Sequence, residues 1–187
     1  MLQAEWTHHD IETAADANAM AKQFKQGTHL AGAFDTETTG LHIILDRPFL
    51  FQFGWVDTDF QGYTYAVDLE KHPKLAHDVI KYWHTQAATL PVYLAHNVKF
   101  DLHMLTNIGL PYTESNISDT LFYIRYAHDA LTPRWGGPPL ALKDYAARYI
   151  TPSAKLHEQL LKQERTAIAK AYNKKLVDKL KPLGYNL

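Results

Sequence analysis

The sequence predicts an α/β layered domain, and three observations carry that expectation. Three short apolar or aromatic runs, 29–36, 47–56 and 62–69, follow one another with only turn material between them, which reads as three consecutive antiparallel strands. A segment at 74–85 then places Leu75, Val79, Ile80 and Trp83 at helical spacing. Directly after it, 91–95 resembles a short buried strand. Strands followed by a helical crossover to a further strand belong to a layered α/β domain rather than to a bundle or a sandwich.

Each element has a local reason. Residues 11–25, rich in Ala, Met and Gln, have the composition of a leading helix, and Gly27 suits its stop. Thr39-Gly40 and the polar stretch 57–62 separate the three strands. The fourth strand leads straight into Asn97, a residue type that caps helices, and Phe100, Leu102, Met104, Leu105 and Ile108 then recur as in a helix that ends near Gly109. Asp101 falls in the second turn of that helix. Residues 119–127 and 140–150 read as further helices, and 153–180 as one long helix or two, closed by Pro182 and Gly184. The expectation is a single domain over 1–187, with 151–187 a basic helical extension.

Bulk composition removes whole classes of function. The chain has 187 residues, 46% hydrophobic and 21% charged, enough to bury one sizeable core. It has no cysteine, which rules out disulfides, thiolate metal sites and a catalytic thiol. The N-terminus lacks a signal-like apolar region and no run approaches the roughly 18 apolar residues of a membrane span, so a soluble, cytoplasmic protein is expected. The net charge of -1 hides an asymmetry: 143–181 holds ten Lys/Arg against four Asp/Glu, leaving nine against sixteen elsewhere. Such a stretch can touch phosphates, although a Lys-rich helix face is ordinarily just solvated. No GxSxG, GxxxxGK[ST] or GxGxxG sequence occurs, so serine hydrolases, P-loop hydrolases and Rossmann dehydrogenases lack their key signal.

The chemistry concentrates in Phe34-Asp35-Thr36-Glu37-Thr38-Thr39-Gly40-Leu41, where two acids stand at i and i+2 at the end of an apolar run. On a strand they share one face. Two carboxylates side by side repel unless a cation neutralises them, and hard oxygen ligands suit Mg²⁺ or Mn²⁺. Alone, an Asp-x-Glu pair is ordinarily a solvated strand end. Its context is Ala95-His96-Asn97-Val98-Lys99-Phe100-Asp101, in which a buried-looking strand delivers an asparagine and, one helical turn on, a third acid.

Taken together, these segments resemble the DEDD, or DnaQ-like, exonuclease superfamily: the stretch from Asp35 is similar to that family's DxExTGL motif, and the stretch from His96 to its HNxxFD motif. Both occur here in the family's order, and the resemblance runs from about His29 through Ile150. It is closest to the proofreading exonuclease domain of phage family A DNA polymerases. The resemblance implies an RNase H-like layered fold, with a mixed sheet of three antiparallel strands followed by a parallel one and helices on both faces. It further implies that Asp35, Glu37 and Asp101 bind two Mg²⁺ or Mn²⁺ ions, that Thr38 and Asn97 place the terminal nucleotide, and that Leu41 wedges against its base. The implied substrate is the 3′ end of single-stranded DNA, and the implied partner is a DNA polymerase domain, covalently continuous or associated. Asp119-Thr120 resembles a recurring structural element of the same family.

The pattern breaks at the fourth carboxylate. The family places it after a Tyr or His, at YxxxD or HxxxxD spacing, and neither spacing follows Asp101 in this chain. Asp129, Asp144 and Asp178 remain; Asp178 is the best-placed substitute, although a solvated helix charge is its ordinary meaning. Three explanations are open: a chain that continues into a polymerase, a complete but inactive or weak enzyme, or a displaced aspartate. A binding module that keeps the exonuclease fold without turnover is the rival from a different class. His96 and His103 flank the HNxxFD aspartate and can meet phosphate or simply pack. Arg134 and Trp135, in the rigid stretch 132–139, can stack on an unpaired base or fold inward.

Overall fold

A computed structural model describes residues 5–110, 116–129 and 142–153, together with a scatter of helical positions between 156 and 175. The chain divides into two compact units, Met1–Ile124 and Arg125–Leu187. The second holds a helix at Leu142–Tyr149 and the helical positions beyond Ser153. No described helix is long and apolar enough to cross a membrane.

The first unit is a mixed six-stranded sheet with helices. In chain order its elements are β1 (Glu5–Asp10), α1 (Ala14–Gln26), β2 (His29–Thr38), β3 (Pro48–Asp57), β4 (Gln61–Asp68), α2 (Pro73–Ala87), β5 (Val92–Ala95), α3 (Val98–Asn107), β6 (Ile117–Asp119) and the start of α4 (Thr120–Asp129). The sheet order is β1-β4-β3-β2-β5-β6. β2, β3 and β4 form the expected antiparallel meander, while β5 joins β2 in parallel after the α2 crossover.

Two strands were not expected. β1 lies ahead of the leading helix and pairs in parallel with β4, from Glu5 opposite Gln61 to Asp10 opposite Ala66. All six of its residues are exposed, so it has no apolar alternation to betray it; its backbone ladder and the stacking of His9 on Tyr65 at 5.2 Å hold it to the sheet. β6 is three residues long and pairs with β5 through Ala95 opposite Asp119, occupying the first position of what reads in sequence as one helix. α1 also starts later than its composition indicates, because Thr13 and Asp16 form a reciprocal capping box, with Thr13 N–H donating to Asp16 Oδ2 at 2.8 Å.

The core is aromatic. Phe34, Phe51, Phe53 and Trp55 from the strands meet Met20 and Phe24 of α1, Val79, Ile80 and Trp83 of α2 and Leu105 of α3 in one buried cluster. Trp83 is fully buried and lies 4.7 Å from Phe53, centroid to centroid. Each such ring removes roughly 150–250 Å² from water, which fixes α2 across the sheet and thereby sets where β5 and α3 begin.

That placement creates the end of the sheet that matters. β5 pairs with β2 only over Ala31–Ala33 and stops at Ala95. β2 continues to Thr38, still paired with β3. Its last residues therefore extend past the end of β5, and α3 starts where β5 leaves off.

Candidate active site

β2 alternates as its sequence requires. Phe34 and Thr36 are buried, whereas Asp35 is exposed and Glu37 half-buried, so the two acids share the face opposite Phe34. They stand across from Gln52 and Leu50 of β3, and the register slips just after Glu37. This irregularity ends the regular ladder directly beyond the acid pair.

Asp101 reaches the same place from α3, in the first turn of the helix rather than the second. It is 2% exposed. Its Oδ1 accepts from Thr36 N–H at 3.1 Å and from Thr36 Oγ1–H at 2.5 Å. Beyond the last β5 pair no strand remains to take that backbone donor, and the carboxylate takes it instead. Sequence reasoning misses Thr36 because it has the opposite parity to the acids; a hydroxyl at a buried parity position between two carboxylates is the available signal.

Burial pushes the Asp101 carboxyl up from its ordinary value of 3.8 to about 6. The two Thr36 hydrogen bonds oppose that rise, and the nearby charge of Asp35 adds to it; no cationic side chain is among the causes. Asp35 and Asp101 thus sense one another, and the site accumulates negative charge that a bound cation would relieve. The donors are all carboxylate oxygens, the chemistry of a hard divalent ion such as Mg²⁺ or Mn²⁺. Among the described residues, no three Asp, Glu or His side chains converge closely enough to hold an ion as they stand.

Asn97 occupies the N-cap position of α3, but not as a side-chain cap. Its backbone is left-handed at φ 61, ψ 45, and no side-chain capping bond forms. Asparagine is among the few non-glycine residues that tolerate this region, so the backbone explains the residue type. The bend is held by Asp119, whose Oδ1 accepts from Asn97 N–H and Leu121 N–H, each at 2.9 Å. Thr120 Oγ1 donates to Ala95 O at 3.1 Å and lies 2.9 Å from His96 Nδ1. The Asp119-Thr120 pair therefore ties the parallel ends of β5 and β6 together and sets the entry angle of α3. The Asn97 side chain is left exposed at this end of the sheet.

Thr38 Oγ1 donates to Gly40 O at 2.7 Å, turning the chain into the 39–47 loop, where Leu41 is 86% exposed. Of the remaining acids, Asp144 lies on the helix of the second unit. Asp178, like the 132–139 stretch with Arg134 and Trp135, falls outside the described residues.

No protein-family model and no curated protein matches the chain. Solved structures do. The catalytic core of RRP6 from Trypanosoma brucei superposes with a TM-score of 0.53 at 17% identity, over 80% of this chain and 38% of that one. The POL domain of Pol1 from M. smegmatis, in complex with DNA primer-template and dNTP, superposes with a TM-score of 0.50 at 17% identity, over 77% of this chain and 22% of that one. The chain spans well under half the length of either. At such identities the likeness is one of fold, and the mixed-sheet α/β architecture is RNase H-like.

Proposed function

We propose that this chain is a metal-dependent 3′-to-5′ exonuclease domain that removes terminal nucleotides from single-stranded DNA, as the proofreading part of a phage-like DNA polymerase. One observation supports this reading above the others: Asp101 is buried against Thr36, at the centre of the Asp-Thr-Glu strand, and beside the charge of Asp35. A third acid 65 residues away in sequence is thus delivered to the strand carrying the first two.

Asp35, Glu37 and Asp101 would hold two Mg²⁺ or Mn²⁺ ions. When bound, the ions supply acidity to an attacking water and positive charge against the leaving 3′ oxygen. The chain's own part is positional. Thr36 fixes one carboxylate by two hydrogen bonds, Asp119 fixes the start of α3, and Thr38 and Asn97 would orient the terminal nucleotide. Leu41, exposed on the loop, would press on its base.

A second reading is a nucleic-acid or protein-binding module without turnover, which gains ground if the reading frame does not continue into a Tyr-x-x-x-Asp helix. One assay separates the two. The chain is incubated with 5′-labelled single-stranded DNA and Mg²⁺ or Mn²⁺, beside Asp35→Ala. Stepwise shortening by the parent and at least a hundredfold less by the variant is expected; equal degradation by both, or none with metal present, refutes the enzyme.

A further inference from the structure

The loop between β2 and β3 is a closed unit. Thr39 N–H donates to Arg47 O at 3.0 Å and Arg47 N–H donates back to Thr39 Oγ1 at 3.2 Å, which draws the two ends together. Inside, Asp46 accepts from His42 N–H at 2.8 Å and Thr39 Oγ1–H at 2.9 Å, and Asp46 N–H donates to His42 O at 2.9 Å. The Asp46 carboxyl packs so closely on Gly40 that a Cβ there would lie 2.5 Å from its Oδ2. A loop bonded in this way moves as one piece. It can turn at the irregular step between Glu37 and Thr38, where the register of β2 against β3 slips.

Its tip is tied down from outside. Asn107, the last residue of α3, donates through Nδ2 to Ile43 O at 2.7 Å and to Asp46 O at 3.1 Å, across 64 and 61 residues of chain. A primary amide nitrogen carries two hydrogens, so one side chain serves both carbonyls. The anchor is firm: Met104 and Leu105 of the same helix are buried, and the helix is closed by Leu110 N–H on Leu105 O at 3.0 Å with Gly109 at φ 79. The other end of α3 is pinned as well, since Asp101 accepts from Thr36 of β2. One helix is thus fastened near its start to the strand that carries Asp35 and Glu37, and at its end to the loop that carries Leu41. About 9 Å of helix separates the two fastenings, and together they fix where the loop stands relative to the carboxylates.

We propose that Asn107 is a positioning residue: its amide clamps the 39–47 loop to α3 and, by holding Leu41 in one place relative to the carboxylates, sets affinity for the 3′-terminal nucleotide without entering the chemistry. The clamp stands on contacts within the fold. Its effect on affinity rests on the exonuclease reading, in which Leu41 meets the terminal base. A loop free to swing must be ordered at each binding event, and the affinity falls by that cost.

The test compares the full chain with Asn107→Asp, which keeps the shape but replaces both donor hydrogens by an acceptor, with Asn107→Ala, and with Asn107→Gln, which returns an amide on a longer stem. The chain has no cysteine, so Ile44→Cys and Lys81→Cys, at two exposed positions, can be introduced together and spin-labelled. The distance distribution between the loop and α2 is then read in EDTA by double electron–electron resonance, without turnover. A narrow distribution is expected in the parent background, a broader one with Asn107→Asp and Asn107→Ala, and a return toward the parent with Asn107→Gln. In metal-dependent cleavage of single-stranded DNA by the unlabelled chains, KM should rise about fivefold to tenfold with Asn107→Asp, as loss of two exposed hydrogen bonds predicts. kcat should stay within about twofold, and Asn107→Gln should recover KM toward the parent. An unchanged distance distribution in Asn107→Asp or in Asn107→Ala overturns the clamp. A broadened distribution with KM unmoved, or a fall in kcat at constant KM, overturns its role in affinity. No metal-dependent cleavage by the parent, with the distribution still responding to Asn107, overturns the exonuclease reading and leaves the clamp standing.

Discussion

Replacing Asp101 with asparagine should stabilise the metal-free protein. The carboxyl rises from 3.8 to about 6 because it is buried and lies beside Asp35; at roughly 1.36 kcal/mol per pH unit, this amounts to about 3 kcal/mol. The sign follows from proton binding. A carboxyl with a raised folded-state value binds its proton more tightly in the folded chain, so between about pH 4 and 6 the folded state holds more protons and stability falls as pH rises. The amide introduced by Asp101→Asn keeps a carbonyl oxygen for the two Thr36 donors but has no charge to desolvate. Urea unfolding in EDTA at pH 7.5 should therefore find Asp101→Asn more stable by about 2–3 kcal/mol, a gap that closes toward pH 4. Thr36→Val keeps the charge and loses one donor, and should be less stable than the parent by about 1–3 kcal/mol at pH 7.5. Millimolar Mg²⁺ should stabilise the parent and leave Asp101→Asn unmoved. An Asp101→Asn chain no more stable than the parent at pH 7.5, or a gap unchanged from pH 4 to 7.5, would refute the reasoning.

Two further outcomes follow from the structure. Asp119→Ala leaves the N–H groups of Asn97 and Leu121 without their shared acceptor; about 1–3 kcal/mol of stability and at least tenfold of metal-dependent cleavage should be lost, read by urea unfolding and the labelled-strand assay, whereas unchanged cleavage would deny Asp119 its role in setting α3. His84, its ring against Phe34 and its Nδ1 2.7 Å from Tyr93 Oη, is pushed down by burial from 6.5 to about 4. Here the unfolded chain binds more protons, so stability is fully present above about pH 6.5 and is lost as pH falls toward 4. His84→Phe should flatten that acid limb in urea titrations from pH 7 to 4; an unchanged limb would contradict it. Because His84 is common to the parent and Asp101→Asn chains, its titration cancels from their difference.

Much of the fold was legible because it is written locally. The meander of β2, β3 and β4 comes from aromatic runs punctuated by turns, and α2 from the spacing of Val79, Ile80 and Trp83. The acid pair on one face of β2 follows from strand alternation alone. β1 was not legible: an exposed edge strand is held by backbone pairing with β4, which no side-chain pattern records. β6, with three residues, is shorter than any period can show.

The sequence by itself singled out the residues proposed to carry the chemistry: a strand ending in Asp35 and Glu37, and a strand-to-helix junction carrying Asn97 and Asp101. Only the tertiary structure decided how they meet. β2 extends past β5, and the donor left there at Thr36 draws Asp101 across 65 residues of chain into a buried place beside Asp35. Asn97 turned out to serve the backbone, through a left-handed bend that Asp119 holds. The physical reason is common to both. Alternation and helical periodicity are properties of neighbouring residues, whereas an unpaired strand donor and a strained bend acquire their partners only when distant segments are packed together.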